Sequence, residues 1–277
     1  MAAFLTSDGL SLHYSDQGRG LPVLCLSGLT RNGSDFDYAL PALAGCRVIR
    51  LDYRGRGRSD HAPDHMSYNI PRETQDVLEL LEHLGLRRVA VLGTSRGGLI
   101  ALTMAALVQD RLLGVCFVDI GPVIEMDGLQ SITGFLGRTP PWADHAEAAR
   151  HYGARLAGFA NVPAERWLEE VRKHYPDTGS GLGITYDPKL RDAVLATFDP
   201  EAEPPDLWPL FEALAGKPVA AIRGAGSDIL SAATLAEMQA RLPGLIAATV
   251  PDRGHVPFLD EAESVAALSK WIKELQP

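Results

Sequence analysis

Six short, almost uninterrupted apolar runs recur along the 277-residue chain: PVLCL (22–26), CRVIRLD (46–52), RVAVLG (88–93), LLGVCFVD (112–119), PVAAIRG (218–224) and LIAATV (245–250). They lack the in–out alternation of a strand with one wet face, so they fit parallel strands covered on both sides. Amphipathic stretches separate them. In PRETQDVLELLEHLG, Val77, Leu81 and Leu84 fall on one helical stripe, Pro71 sits near the start and Gly85 supplies the stop. Strand and helix in alternation predict a doubly wound, mostly parallel α/β sheet. The alternation fails between about Pro122 and Pro209, a stretch dense in proline that holds three of the four tryptophans, Trp142, Trp167 and Trp208. It offers helix-like pieces (DHAEAARHYGARLAGF, PAERWLEEVRKHY) and no convincing core strand. A structureless connection that long is rare in a compact domain. The expected organisation is a core made of residues 1–120 and 210–277, with 121–209 inserted as a helical cap.

Composition narrows the function classes. Hydrophobic residues are 46% of the chain and charged ones 22%, the balance of a soluble globular protein. A net charge of −9 argues against general affinity for nucleic acid or anionic membranes. No apolar run approaches the ~18 residues of a membrane span, and MAAFLTSDGL reads as no secretory signal. Cys25, Cys46 and Cys116 are scattered in apolar runs, which suggests reduced thiols and a cytoplasmic location. The arginines of CRVIRLDYRGRGRS (Arg47, Arg50, Arg54, Arg56, Arg58) read as structural against that net charge. The pair His61–His65 has metal-ligand spacing, but Pro63 denies it a helix, so neither a metal site nor a cofactor is expected.

The segment with the most chemistry is RVAVLGTSRGGLIALTMAAL, which sets Gly93-Thr94-Ser95-Arg96-Gly97 between a clear strand and a clear helix. A turn that sharp forces its central residue into a strained backbone and lifts the side chain above the sheet. Glycines two residues either side are needed because a Cβ would strike the neighbouring strand and helix. The following helix aims its N-terminal N–H groups at the serine oxygen.

With these landmarks the chain resembles the α/β-hydrolase superfamily over nearly its whole length outside the insertion. LHYSDQGRGLPVLCLSGLTRN is similar to that family's early hairpin and oxyanion loop, LDYRGRGRSD to its D-x-R-G-x-G-x-S segment, and GTSRGG to its nucleophile elbow. RGAGSDIL and PDRGHVPFLDE resemble the loops that carry the acid and the histidine. The resemblance implies the α/β-hydrolase fold and a catalytic triad of Ser95, Asp228 and His255. Of the eight histidines, His255 alone follows the final strand at the edge where ligand groups of open α/β sheets gather. Asp119, closing LLGVCFVD, rivals Asp228 because some superfamily members carry the acid there; the match RGAGSD favours Asp228, leaving Asp119 to anchor the turn into the insertion. The family pattern further implies an oxyanion hole from the backbone N–H groups of Leu29 and Arg96. Ser27 stands where many relatives have histidine, and no H-G-G-G run is present.

The activity so implied is hydrolysis of a small carboxylic ester, lactone or thioester through an acyl-enzyme, with a neutral His255 as base. The alternatives are C–C hydrolysis of a ring-cleavage diketone and a non-catalytic small-ligand-binding role. Arg96 is unusual directly after the nucleophile: either it pairs with an acidic neighbour, or with Arg31 it holds a substrate carboxylate. Trp142 is a candidate pocket wall. The only expected partner is a small-molecule substrate.

Overall fold

The computed structural model describes residues 2–197 and 202–276. Eight strands form one sheet: β1 (Ala2–Leu5), β2 (Ser11–Gly18), β3 (Leu21–Leu26), β4 (Cys46–Leu51), β5 (Val89–Thr94), β6 (Leu112–Val118), β7 (Val219–Gly224) and β8 (Ile246–Val250). Their spatial order is β1-β2-β4-β3-β5-β6-β7-β8. Only the pairings of β1 with β2 and β2 with β4 are antiparallel. All six apolar runs have become the parallel strands β3 to β8, as their continuous burial requires.

The pleat divides their side chains by period two. Leu24, Val91, Phe117 and Ala221 face one core, packed under α1 (Ile70–His83) and α2 (Arg96–Val108). Cys25, Leu92, Cys116 and Ile222 face the other, closed by a helix over Ala262–Leu275 through Leu268, Trp271 and Ile272. α1 begins where Asn69 accepts the Arg72 N–H, and Gly85 follows it at φ +64°, the left-handed stop that the sequence led one to expect. Cys25 and Cys116 are fully buried in their strands, and burial pushes both thiols far above the ordinary range.

Between β6 and β7 the chain builds α3 (Met126–Phe135), α4 (His145–Arg155), α5 (Ala164–His174), α6 (Leu190–Thr197) and α7 (Trp208–Glu212). Two further helices, α8 (Ala232–Arg241) and the already placed α9 (Ala262–Leu275), complete the chain. Residues 198–201 of the expected insertion, and the two terminal residues of the expected core, lie outside the described residues. α4 and α5 pair around a small separate core of Trp142, Ala148, Tyr152, Val171 and Leu182, while Leu136, Tyr186 and Leu190 join the main core. No helix among the described residues is long and apolar enough to cross a membrane.

The arginine-rich segment is consumed internally. Arg47 pairs with Asp16 and Arg50 with Asp37, and buried Arg54 holds Asp76 and Asp8. Buried Arg56 holds Glu73.

Candidate active site

Ser95 follows β5 directly as the N-cap of α2 at φ 49°, ψ −114°, a left-handed conformation that a side chain rarely adopts. The flanking glycines are what make it affordable. A Cβ on Gly93 would lie 2.7 Å from the backbone of Gly97, and one on Gly97 would run into the Leu26 carbonyl oxygen. Ser95 N–H donates to the Val118 carbonyl, and Gly98 and Leu99 N–H close on the Ser95 carbonyl, so the turn is tied to β6 and to the helix. Arg96 N–H, at the first helical position, belongs to the N-terminal donors for which a helix has no internal partner.

Across the crevice, the loop after β8 brings His255 Nε2 to 3.1 Å from Ser95 Oγ. Its Nδ1 lies 2.7 Å from Asp119 Oδ2. Asp228 therefore does not meet the imidazole, contrary to the expectation from RGAGSD. The reason is local geometry at two neighbouring strand ends. Asp119 leaves β6 at φ 53°, its N–H donating 2.7 Å to the Ile222 carbonyl of β7, which turns its carboxylate back over the sheet edge. There the fully buried carboxylate also accepts the Gly224 N–H at 2.7 Å and the Ser227 hydroxyl at 2.5 Å. Ser227 in turn accepts the N–H groups of Ile229 and Leu230, both at 3.1 Å. The loop after β7 thus turns Ser227 inward, and Asp228, one residue on, is half-exposed beside α3, its carbonyl 2.5 Å from where a Cβ on Gly128 would stand. Asp119, expected to anchor a turn, holds the position expected of Asp228.

The loop after β3 forms the other wall. A Cβ placed on Gly28 would lie 3.8 Å from Ser95 Cβ, so Leu29 follows directly beside the nucleophile turn. The Arg56 guanidinium donates 3.0 Å to the Leu29 carbonyl and fixes that loop from below. Ser27 is fully buried, with its hydroxyl unpartnered among the described residues.

Of the two arginines expected to reach a substrate, Arg96 is committed elsewhere. Its Nε donates 2.5 Å to Glu73 and its Nη2 donates 3.1 Å to the Tyr68 carbonyl. Glu73 is shared with Arg56, and although burial opposes its charge, the two guanidinium groups hold its carboxyl below the usual range. Arg31 instead reaches α4, donating 2.9 Å to the Tyr152 hydroxyl. Trp142 packs edge-on against Tyr152 and Tyr175, with the Arg155 guanidinium over its ring. It lines an open hollow of ≈ 730 Å³ together with Thr139, Pro141 and Leu182, a hollow whose lining does not include Ser95, Asp119 or His255. Trp142 thus packs against Tyr152, the residue that holds Arg31.

α4 and α5 are tied to the segments after β3 and β8. Arg166 of α5 ion-pairs with Asp260 at 2.5 Å and lies over the rings of Tyr38 and Phe258. The α4–α5 connection is sewn to the histidine loop: Ala160 N–H donates to the Asp252 carbonyl, Asn161 to the Asp252 carboxylate, and Phe159 and Trp167 stack with Phe258. No cluster of three or more His, Cys, Asp or Glu is placed to hold a metal among the described residues. Chemically, the chain Asp119–His255–Ser95 can draw a proton from the hydroxyl and hold the imidazolium that results.

Ser227, Tyr152 and Phe258 carry no motif that marks them in the sequence, and only packing brings them to this site.

With this fold and this arrangement, the chain belongs to the α/β hydrolase family, whose model matches residues 23–268. It is 34% identical over 263 residues to a 3-hydroxybutyrate-oligomer hydrolase of Cupriavidus necator, covering 92% of this chain and 89% of that protein. To a 2-(acetamidomethylene)succinate hydrolase of Mesorhizobium japonicum it is 27% identical over 248 residues, 89% of this chain and 85% of the other. The crystal structure of an α/β hydrolase from Novosphingobium aromaticivorans superposes with a TM-score of 0.90 at 36% identity, covering 99% and 97% of the two chains.

Proposed function

We propose that this α/β hydrolase cleaves small carboxylic esters, lactones or thioesters through a covalent acyl-enzyme on Ser95. The observation that carries the reading is the unbroken hydrogen-bonded chain from Ser95 Oγ through His255 to buried Asp119, at 3.1 and 2.7 Å. His255 takes the hydroxyl proton as Ser95 attacks the carbonyl carbon. Asp119 fixes the ring with Nδ1–H toward itself and offsets the positive charge that develops. The backbone N–H groups of Leu29 and Arg96 hold the tetrahedral oxyanion, each such donor being worth about 10²–10³ in rate. His255 then gives its proton to the leaving oxygen or sulfur, and water repeats the cycle to free the acid. α4 and α5 act as the cap that encloses the acyl chain. The relative named for 3-hydroxybutyrate oligomers supports ester cleavage in short hydroxyacid chains.

A panel of short acyl esters, lactones, thioesters and vinylogous diketones, run beside Ser95→Ala, tests the reading. Turnover of oxygen or sulfur esters that vanishes in the variant is the expected result. Cleavage confined to the diketones, or turnover equal in the variant, contradicts it.

The hydroxyl of Ser227 should position the acid. Ser227→Ala removes one donor from Asp119 Oδ2 while leaving Gly224 N–H and His255 in place. The expected loss is about tenfold in kcat, the worth of one charge-assisted hydrogen bond, with KM little changed. A variant that keeps wild-type kcat and KM would deny Ser227 that role.

A further inference from the structure

Arg31 combines three properties that no other described cation near Ser95 shares. It rises from the same corner of the loop as the nucleophile: a Cβ on Gly28 would lie 3.5 Å from Arg31 Cγ and 3.8 Å from Ser95 Cβ. Its one hydrogen-bond partner through the side chain is a neutral phenol, Tyr152 Oη at 2.9 Å. No carboxylate among the described residues stands within 4.0 Å of its guanidinium.

Its nearest acids, Asp35 and Glu170, act on it through space without reaching its guanidinium, and each has a closer neighbour. Asp35 lies 3.3 Å from His174, and Glu170 lies 3.5 Å from His174 and 3.4 Å from Lys173. The contrast with Arg96 is direct, because that guanidinium already grips Glu73. A guanidinium presents five N–H donors in a planar fork suited to a carboxylate, and it stays charged at any working pH. The phenol of Tyr152, which comes from α4, occupies Nη2 alone.

We propose that Arg31, steadied by Tyr152, anchors a free carboxylate of the substrate, so that the substrate class is a short ester bearing an ionised carboxyl group a few bonds from the scissile carbonyl. This rests on the acyl-enzyme reading and narrows it. Neutral esters of the same length lack a carboxylate to accept the remaining N–H donors of Arg31. Internal bonds of a long polyester are poor substrates for the same reason, since only a chain end carries the charge.

Two matched pairs test the anchor and locate it. The mono-4-nitrophenyl ester of glutaric acid, against its methyl-capped twin, carries the charge on the acyl side. A linear 3-hydroxyacid dimer, against its methyl ester, carries the charge on the leaving side. In at least one pair the free acid should be preferred in kcat/KM by about tenfold to 100-fold, through a lower KM for the acid. Arg31→Gln should bring that ratio toward one, Arg31→Lys should retain part of it, and Tyr152→Phe should reduce it. A wild type that cleaves both members of each pair equally overturns the anchor and leaves the acyl-enzyme reading standing. So does a preference that survives intact in Arg31→Gln. A wild type that cleaves none of the four overturns both.

Discussion

Changing Asp119 to asparagine should lower kcat by about 10⁴-fold, whereas Asp228→Asn should leave kcat within about twofold of wild type. The two positions end neighbouring strands, and only one carboxylate faces the imidazole, at 2.7 Å. An amide at 119 still fits the space, but it can offer its N–H to His255 and so favour the tautomer that cannot accept the Ser95 proton. KM for a short ester should change little, because the carboxylate is buried beneath the imidazole. Steady-state kinetics of the two variants on one ester decide the matter. Comparable losses in both, or a larger loss in Asp228→Asn, would return the acid to the loop after β7. Ser227 offers a finer version of the same contrast, since its hydroxyl reaches Asp119 from that loop.

Ser95→Ala should cost more, about 10⁶-fold in kcat. What remains reflects the oxyanion donors and binding alone. His255→Ala should fall to a similar level, and the double variant should fall little further, because the groups act as one unit and their losses do not add. Fold should persist in Ser95→Ala: the strained φ of 49° belongs to the turn, and the hydroxyl caps no helix N–H group. Circular dichroism unchanged from wild type, beside a loss of this size, separates chemistry from unfolding.

Most of the architecture could be read from residue order. Strands buried on both faces leave continuous apolar runs, and Val77, Leu81 and Leu84 announced α1 by their spacing. The serine turn was legible because steric demands at Gly93 and Gly97 are written in single residues. The acid was not legible in that way. Asp119 and Asp228 each follow a strand, and the choice between them depends on the φ of Asp119 and on which of Ser227 and Asp228 turns inward. Those are tertiary outcomes of how β6, β7 and the start of α3 meet, for example through the Glu125 N–H bond to the Ile229 carbonyl. Arg96 shows the same limit. Its partner Glu73 lies on α1, 23 positions earlier, and only packing of α1 against α2 reveals that its charge is already taken. Composition likewise does not say which aromatic ring of the insertion meets Arg31; packing gives that contact to Tyr152, with Trp142 against it.

Reaction of the folded protein with a fluorophosphonate, followed by peptide mass mapping, tests the nucleophile itself. One adduct per chain should appear, confined to the peptide containing Ser95, and it should be missing from Ser95→Ala and strongly slowed in His255→Ala. A wild type that keeps its fold yet takes up no label, or takes it up equally in Ser95→Ala, would contradict a hydroxyl activated for attack on a carbonyl.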